Sequence, residues 1–160
     1  MTFFLTLVCQ DTVLEGGKMQ IINEKTLYLS YDGEKTFVQK DTNLYQLRGN
    51  LVNKILNYSC IYYGSSLKGR LLCSKSVLNI QNRLPVVISE QKQIVMFPIK
   101  ENNNIIWLNF NLIKDYVKEH DGVKIIFKNE VSKIFNVSYT ILNNQMLKCS
   151  KLLLTYLLRS

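Results

Sequence analysis

The sequence predicts an α+β fold: an antiparallel, β-rich single domain with a central helix-corner-helix and a C-terminal helix. Three observations predict it. Strand-like alternation with Asp-Gly turns marks residues 1–48 and returns over residues 84–137. Helical spacing takes over at residues 50–78 and again at 139–158. The 160 residues are 47% hydrophobic and 20% charged, with two prolines and seven glycines, a composition that suits one globular domain rather than a disordered chain.

Each element can be justified in order. The opening "MTFFLTLV" is apolar but has no basic start and no small-residue cleavage site, so it reads as a strand rather than a signal peptide. Gly16-Gly17 marks a turn. Leu27, Leu29 and Tyr31 alternate up to Asp32-Gly33, and Phe37 follows, which is a hairpin signature. Then the period changes. Leu51, Ile55 and Tyr62 recur at helical spacing, as do Val52, Leu56 and Tyr63, with Asn50 as the expected N-cap and Gly64 as the C-cap glycine. Ser65 or Ser66 caps a second helix whose apolar face is Leu67, Leu71, Val77 and Leu78.

Strands resume with "LPVVIS" and "QIVMFPI", with Pro85 and Pro98 at their margins. Ile106, Leu108, Phe110 and Leu112 alternate against Trp107, Asn109 and Asn111 as one half-buried strand. Asp121-Gly122 turns a second hairpin, and "KNE" leads into "VSKIFNVS", giving a meander of at least three strands. Ser138 caps the last helix. Leu142, Met146, Cys149, Leu153 and Tyr156 form its core face, while Leu147, Leu154 and Leu158 add a second stripe expected to face another subunit.

The residues offer little catalytic chemistry. Cys9, Cys60, Cys73 and Cys149 are scattered without a C-x-x-C pair, which reads as free thiols in a reducing cytoplasm rather than a zinc site. The one histidine, His120, falls in a turn, and no Ser or Cys motif points to a triad. Asp115, Glu119 and Asp121 come nearest to an acidic cluster and read as a solvated face. No phosphate loop is present, nor an apolar run of bilayer length. The expectation is no enzyme, no cofactor, no metal and no membrane.

Charge is the informative property. The net charge is +8, and no acid occurs between Asp41 and Glu90, a stretch that carries Arg48, Lys54, Lys68, Arg70, Lys75 and Arg83. A second acid-free stretch after Glu130 carries Lys133, Lys148, Lys151 and Arg159. Single lysines often only solubilise, but a long one-signed block suits a phosphate backbone, where each contact releases a counterion. Lys68 and Arg70 fall in the first turn of the second helix, where cations oppose the helix dipole unless an external anion offsets them.

The stretches "SCIYYGSSLKGR", "RLPVVIS", "IVMFP", "IWLN" and "SYTILNNQ", in this order, resemble the ComK family of bacterial competence transcription factors over about residues 44–146. The resemblance places Cys60, Gly64, Ser65, Ser66, Gly69 and Arg70 in the family motif, continued by Pro85, Phe97, Pro98, Trp107, Ser138, Tyr139, Asn144 and Gln145. It implies an activator that binds paired A/T-rich boxes in double-stranded DNA, approaches the minor groove, acts as a dimer or dimer of dimers, and is controlled by an adaptor-protease system. A cytoplasmic, nucleoid-associated location goes with that role.

The expected DNA contacts are Arg70 first, then Lys68, Lys75, Arg83, Lys54, Ser65 and Ser66. There are departures. The arginines that flank the family cysteine are absent from "NYSCI", "RLPV" replaces a Pro-Pro stretch, and the chain ends soon after the helix, where many members carry a charged tail. The alternative is therefore a degenerate or shortened member acting through mixed oligomers. An RNA-binding module stacking bases on Tyr58, Tyr62 and Tyr63 is a third reading.

Overall fold

A computed structural model describes residues 20–160, so the expected strand at "MTFFLTLV", the Gly16-Gly17 turn and Cys9 lie outside the described residues. Three strands come first: β1 (Thr26–Tyr31), β2 (Lys35–Lys40) and β3 (Asn43–Arg48). Two helices follow, α1 (Val52–Tyr62) and α2 (Leu67–Leu78). Then come β4 (Val86–Ser89), β5 (Ile94–Glu101), β6 (Asn104–Asn109), a 3-10 turn at Phe110–Leu112, β7 (Ile113–Glu119), β8 (Gly122–Phe127), β9 (Ser132–Phe135) and α3 (Tyr139–Arg159). The expected α+β architecture is present, with every described strand pair antiparallel.

The strands form two sheets, one ordered β3-β2-β1-β6-β5-β4 and the other β7-β8-β9. Strand periodicity sorts the side chains of the larger sheet onto two faces. Leu29, Val38, Leu47, Ile88, Ile94 and Met96 meet Val52, Ile55, Leu56 and Cys60 of α1 on one face. Leu27, Val95, Phe97, Ile99 and Leu108 meet Phe127 and Phe135 of the smaller sheet and Leu142, Cys149 and Leu152 of α3 on the other. The molecule is thus layered: helical pair, large sheet, then small sheet with α3. β5 is covered on both faces, which is why "IVMFPI" is continuously apolar instead of alternating.

The turns follow their stereochemistry. Asp32 Oδ1 accepts from the Glu34 and Lys35 amides at 2.8 and 2.7 Å, and Gly33 takes φ +101°, closing β1 onto β2. At the second hairpin, a Cβ on Gly122 would collide with the Phe135 carbonyl oxygen, so only glycine lets β9 come this close.

Three expectations are corrected. The N-cap of α1 is Leu51, not Asn50; Asn50 stands one residue earlier and its Oδ1 still accepts from the Val52 amide at 3.3 Å. The run from Ile106 to Leu112 is not one strand. Asn109 turns inward, donates from Nδ2 to the Thr26 carbonyl at 2.9 Å, and the 3-10 turn then carries the chain from the large sheet to the small one. Pro98 lies inside β5 rather than at its margin, and the position tolerates it because the pairing of β4 stops at Met96.

Candidate nucleic-acid interface

The Gly64-Ser65-Ser66 corner is two helix caps set end to end. At the close of α1, Gly64 takes φ +96°, its amide donates to the Ile61 carbonyl at 3.0 Å, and the Ser65 amide donates to the Cys60 carbonyl at 2.8 Å. This pair of bonds is the Schellman arrangement. Two residues on, Ser66 is the N-cap of α2, and its Oγ accepts from the Gly69 amide at 3.0 Å. Asn57 of α1 reaches across to accept from the Leu67 amide at 3.0 Å. A Cβ on Gly69 would lie 3.2 Å from Ser66 Oγ, so the second glycine makes room for the cap. Cys60 is fully buried beneath the corner, and burial pushes its thiol up to about 11, leaving it inert.

The outer faces of the two helices carry the charge. On α1, Lys54, Tyr58 and Ile61 are spaced to share one side, and all are exposed. On α2, Lys68, Leu72 and Lys75 repeat that pattern, also exposed. Arg83, in the loop after α2, is exposed and takes φ +54°. Among the described residues none of these four cations forms an ion pair; the bridges present are Lys92–Glu24, Lys114–Glu130 and His120–Asp121. The positive surface is therefore not neutralised by the protein's own described carboxylates.

Arg70 is placed differently. It sits on the side of α2 turned toward α3, with its Nε buried and its guanidinium 5.2 Å from the centroid of the Tyr156 ring. Burial pushes the Tyr156 phenol up to about 12, with neighbouring Cys73 adding to the rise and Arg70 opposing it. Arg70 thus ties the helical pair to the C-terminal helix. Ser66 is engaged as a cap, and Ser65 stands half-buried in the corner.

Several residues of the region escape sequence reasoning. Tyr62, spaced with Leu51 and Ile55 in the sequence, is 69% exposed, and Tyr58 and Ile61 are half-exposed beside it. α1 has more apolar residues than one helical face can hold, and that surplus was the legible signal. Ser74 Oγ donates to the Pro85 carbonyl at 2.6 Å, and Gln145 of α3 donates from Nε2 to the carbonyls of Pro98 at 2.6 Å and Arg83 at 3.2 Å. These bonds pin the loop that carries Arg83. On α3, Leu147, Leu154 and Leu158 are 61%, 57% and 77% exposed, away from the core face. No described helix is long and apolar enough to cross a membrane.

The fold is thus an α+β scaffold that presents a capped, cationic helical corner. The chain belongs to the ComK protein family, which matches residues 17–159. The competence transcription factor of Bacillus subtilis strain 168 is 26% identical over 96 residues, which cover 58% of this chain and 50% of that protein. The chain therefore spans about half the length of the curated relative it matches. No solved structure matches it.

Proposed function

We propose that this protein is a DNA-binding transcriptional activator of competence genes that reads A/T-rich duplexes through the minor groove. The observation that carries this reading is the pair of matched outer stripes, Lys54-Tyr58-Ile61 on α1 and Lys68-Leu72-Lys75 on α2, unpaired within the described protein and joined by a fixed corner. Minor-groove readers combine cations, drawn by the narrow groove's negative potential, with apolar side chains that wedge base steps. Lys54, Lys68, Lys75 and Arg83 serve as the phosphate and groove contacts. Ser65 and Ser66 hold the approach, and Arg70 adds charge from behind while bracing the corner. Membership of the ComK family and the name of the Bacillus subtilis relative support the same role.

The test is fluorescence anisotropy with two duplexes of equal length, one carrying paired A- and T-tracts and one G/C-rich, across a salt series. An A/T preference that persists at physiological salt is expected. Equal, salt-erased binding to both would reduce the charge to a generic attraction, and tighter binding to single-stranded RNA would favour an RNA-binding module.

A second reading has its own support. The exposed leucines of α3 suit pairing with another copy or with a longer relative, and an adaptor-protease system is a further candidate partner. In this reading the chain acts through mixed oligomers. Mixing it with the Bacillus subtilis relative and measuring mass by sedimentation tests it; two independent species would remove the idea.

A further inference from the structure

The helical pair does not cover its sheet completely. Beyond the packed part of α1 and α2, the face of β5 and β6 bearing Pro98, Ile105 and Trp107 lines, with Leu56 and Leu71 of the helices, an open cleft of about 380 Å³. Water against such walls gains from displacement. The volume falls in the usual range of small-molecule pockets, which are mostly apolar with a few placed polar groups.

The polar groups here are specific. Arg83, Asn53, Gln81 and Asn82 stand among the lining residues, and no carboxylate lines the cleft among the described residues. Arg83 reaches its position from a left-handed backbone, φ +54°, a conformation that costs a non-glycine residue free energy. The strain is held by the Gln145 and Ser74 hydrogen bonds to the backbone on either side of Leu84. Trp107 offers a flat aromatic wall, and Arg83, its backbone held but its side chain exposed, offers a cation at the rim.

We infer that this cleft binds a small amphiphilic anion, a planar apolar body against Trp107 and Pro98 with one carboxylate directed at Arg83. The inference uses Arg83, which the proposed duplex contact also uses, so the two ligands would compete for it; its test contains no nucleic acid and stands apart from duplex binding.

Trp107 is the protein's one tryptophan, so its emission reports the site directly. The probes are 4-nitrocinnamate and its uncharged amide, whose nitroaromatic rings quench indole on contact; N-acetyltryptophanamide supplies the collisional baseline. The expected result is saturable quenching by the acid, with the amide binding about tenfold more weakly, because it lacks the charge-assisted bond. Arg83→Gln should bring the acid down to the amide's affinity. Ile105→Glu places a like charge on a floor residue that is already 39% exposed and should abolish binding with the fold intact. Quenching no steeper than the baseline would overturn the inference, as would equal affinity for acid and amide. Should Ile105→Glu fail to fold, the acid–amide comparison and Arg83→Gln still decide.

Discussion

Gly64 and Ser66 stand two positions apart and solve opposite stereochemical problems. The first closes a helix by entering a left-handed conformation; the second opens one by lending its hydroxyl to an orphan amide. Gly64→Ala should destabilise the protein by about 1–2 kcal/mol, the cost of a Cβ in that region, and Ser66→Ala by about 1 kcal/mol; urea unfolding would measure both. These residues were legible because their geometry is local and their letters carry it. Arg70 was not, because Tyr156, the ring it covers, lies near the other end of the chain.

Two tyrosines, Tyr28 partly buried and Tyr156 buried, give the molecule an alkaline signature. Burial pushes the Tyr28 phenol up to about 12, with Glu101 adding to the shift, and Tyr156 rises to a similar value. In the unfolded chain tyrosine titrates near pH 10. The unfolded state therefore sheds these protons first, and the stability they contribute is complete below about pH 10 and lost as pH climbs toward about 12. Tyr28→Phe should flatten that decline in a plot of Tm against pH, and an unchanged slope would count against the burial argument.

At the scale of the element, α2 has two sides with separable consequences. Lys68→Gln and Lys75→Gln should leave Tm unchanged and each lower the salt slope of duplex binding by about one. Arg70→Ala should instead lower stability by on the order of 1 kcal/mol through the lost contact with Tyr156, seen as a drop in Tm of a few degrees. Equal Tm values for all three would show that Arg70 does not brace α3. Helices and hairpins were readable here because period and turn chemistry are local. The end of β6 was not, because Asn109 is drawn in by a carbonyl on β1, and nothing adjacent to it in sequence announces that partner.

For the molecule as a whole, the sequence could not show that its strands divide between two sheets. The large sheet is joined by β1 pairing with β6, Tyr28 opposite Leu108, a contact between distant parts of the chain, and the 3-10 turn after β6 then starts the small one. The double apolar character of α3 was legible, and the structure separates it into a core side and an exposed leucine stripe. If that stripe joins copies, Leu154→Glu with Leu158→Glu should yield a monomer in analytical ultracentrifugation without loss of helical circular dichroism. A variant that still self-associates would place the interface elsewhere.

The doubly capped corner also bears on how fast the proposed duplex would be found. Both helix ends are already closed by internal hydrogen bonds, and Asn57 bridges them, so the angle between α1 and α2 is set before any encounter. Nothing at the corner has to fold after contact. Association should then be governed by diffusion and charge steering, falling as ionic strength rises. If the protein reads duplex sequence as proposed, discrimination should lie in the lifetime of the complex, with right and wrong sites reached at similar rates and only the right one slow to let go.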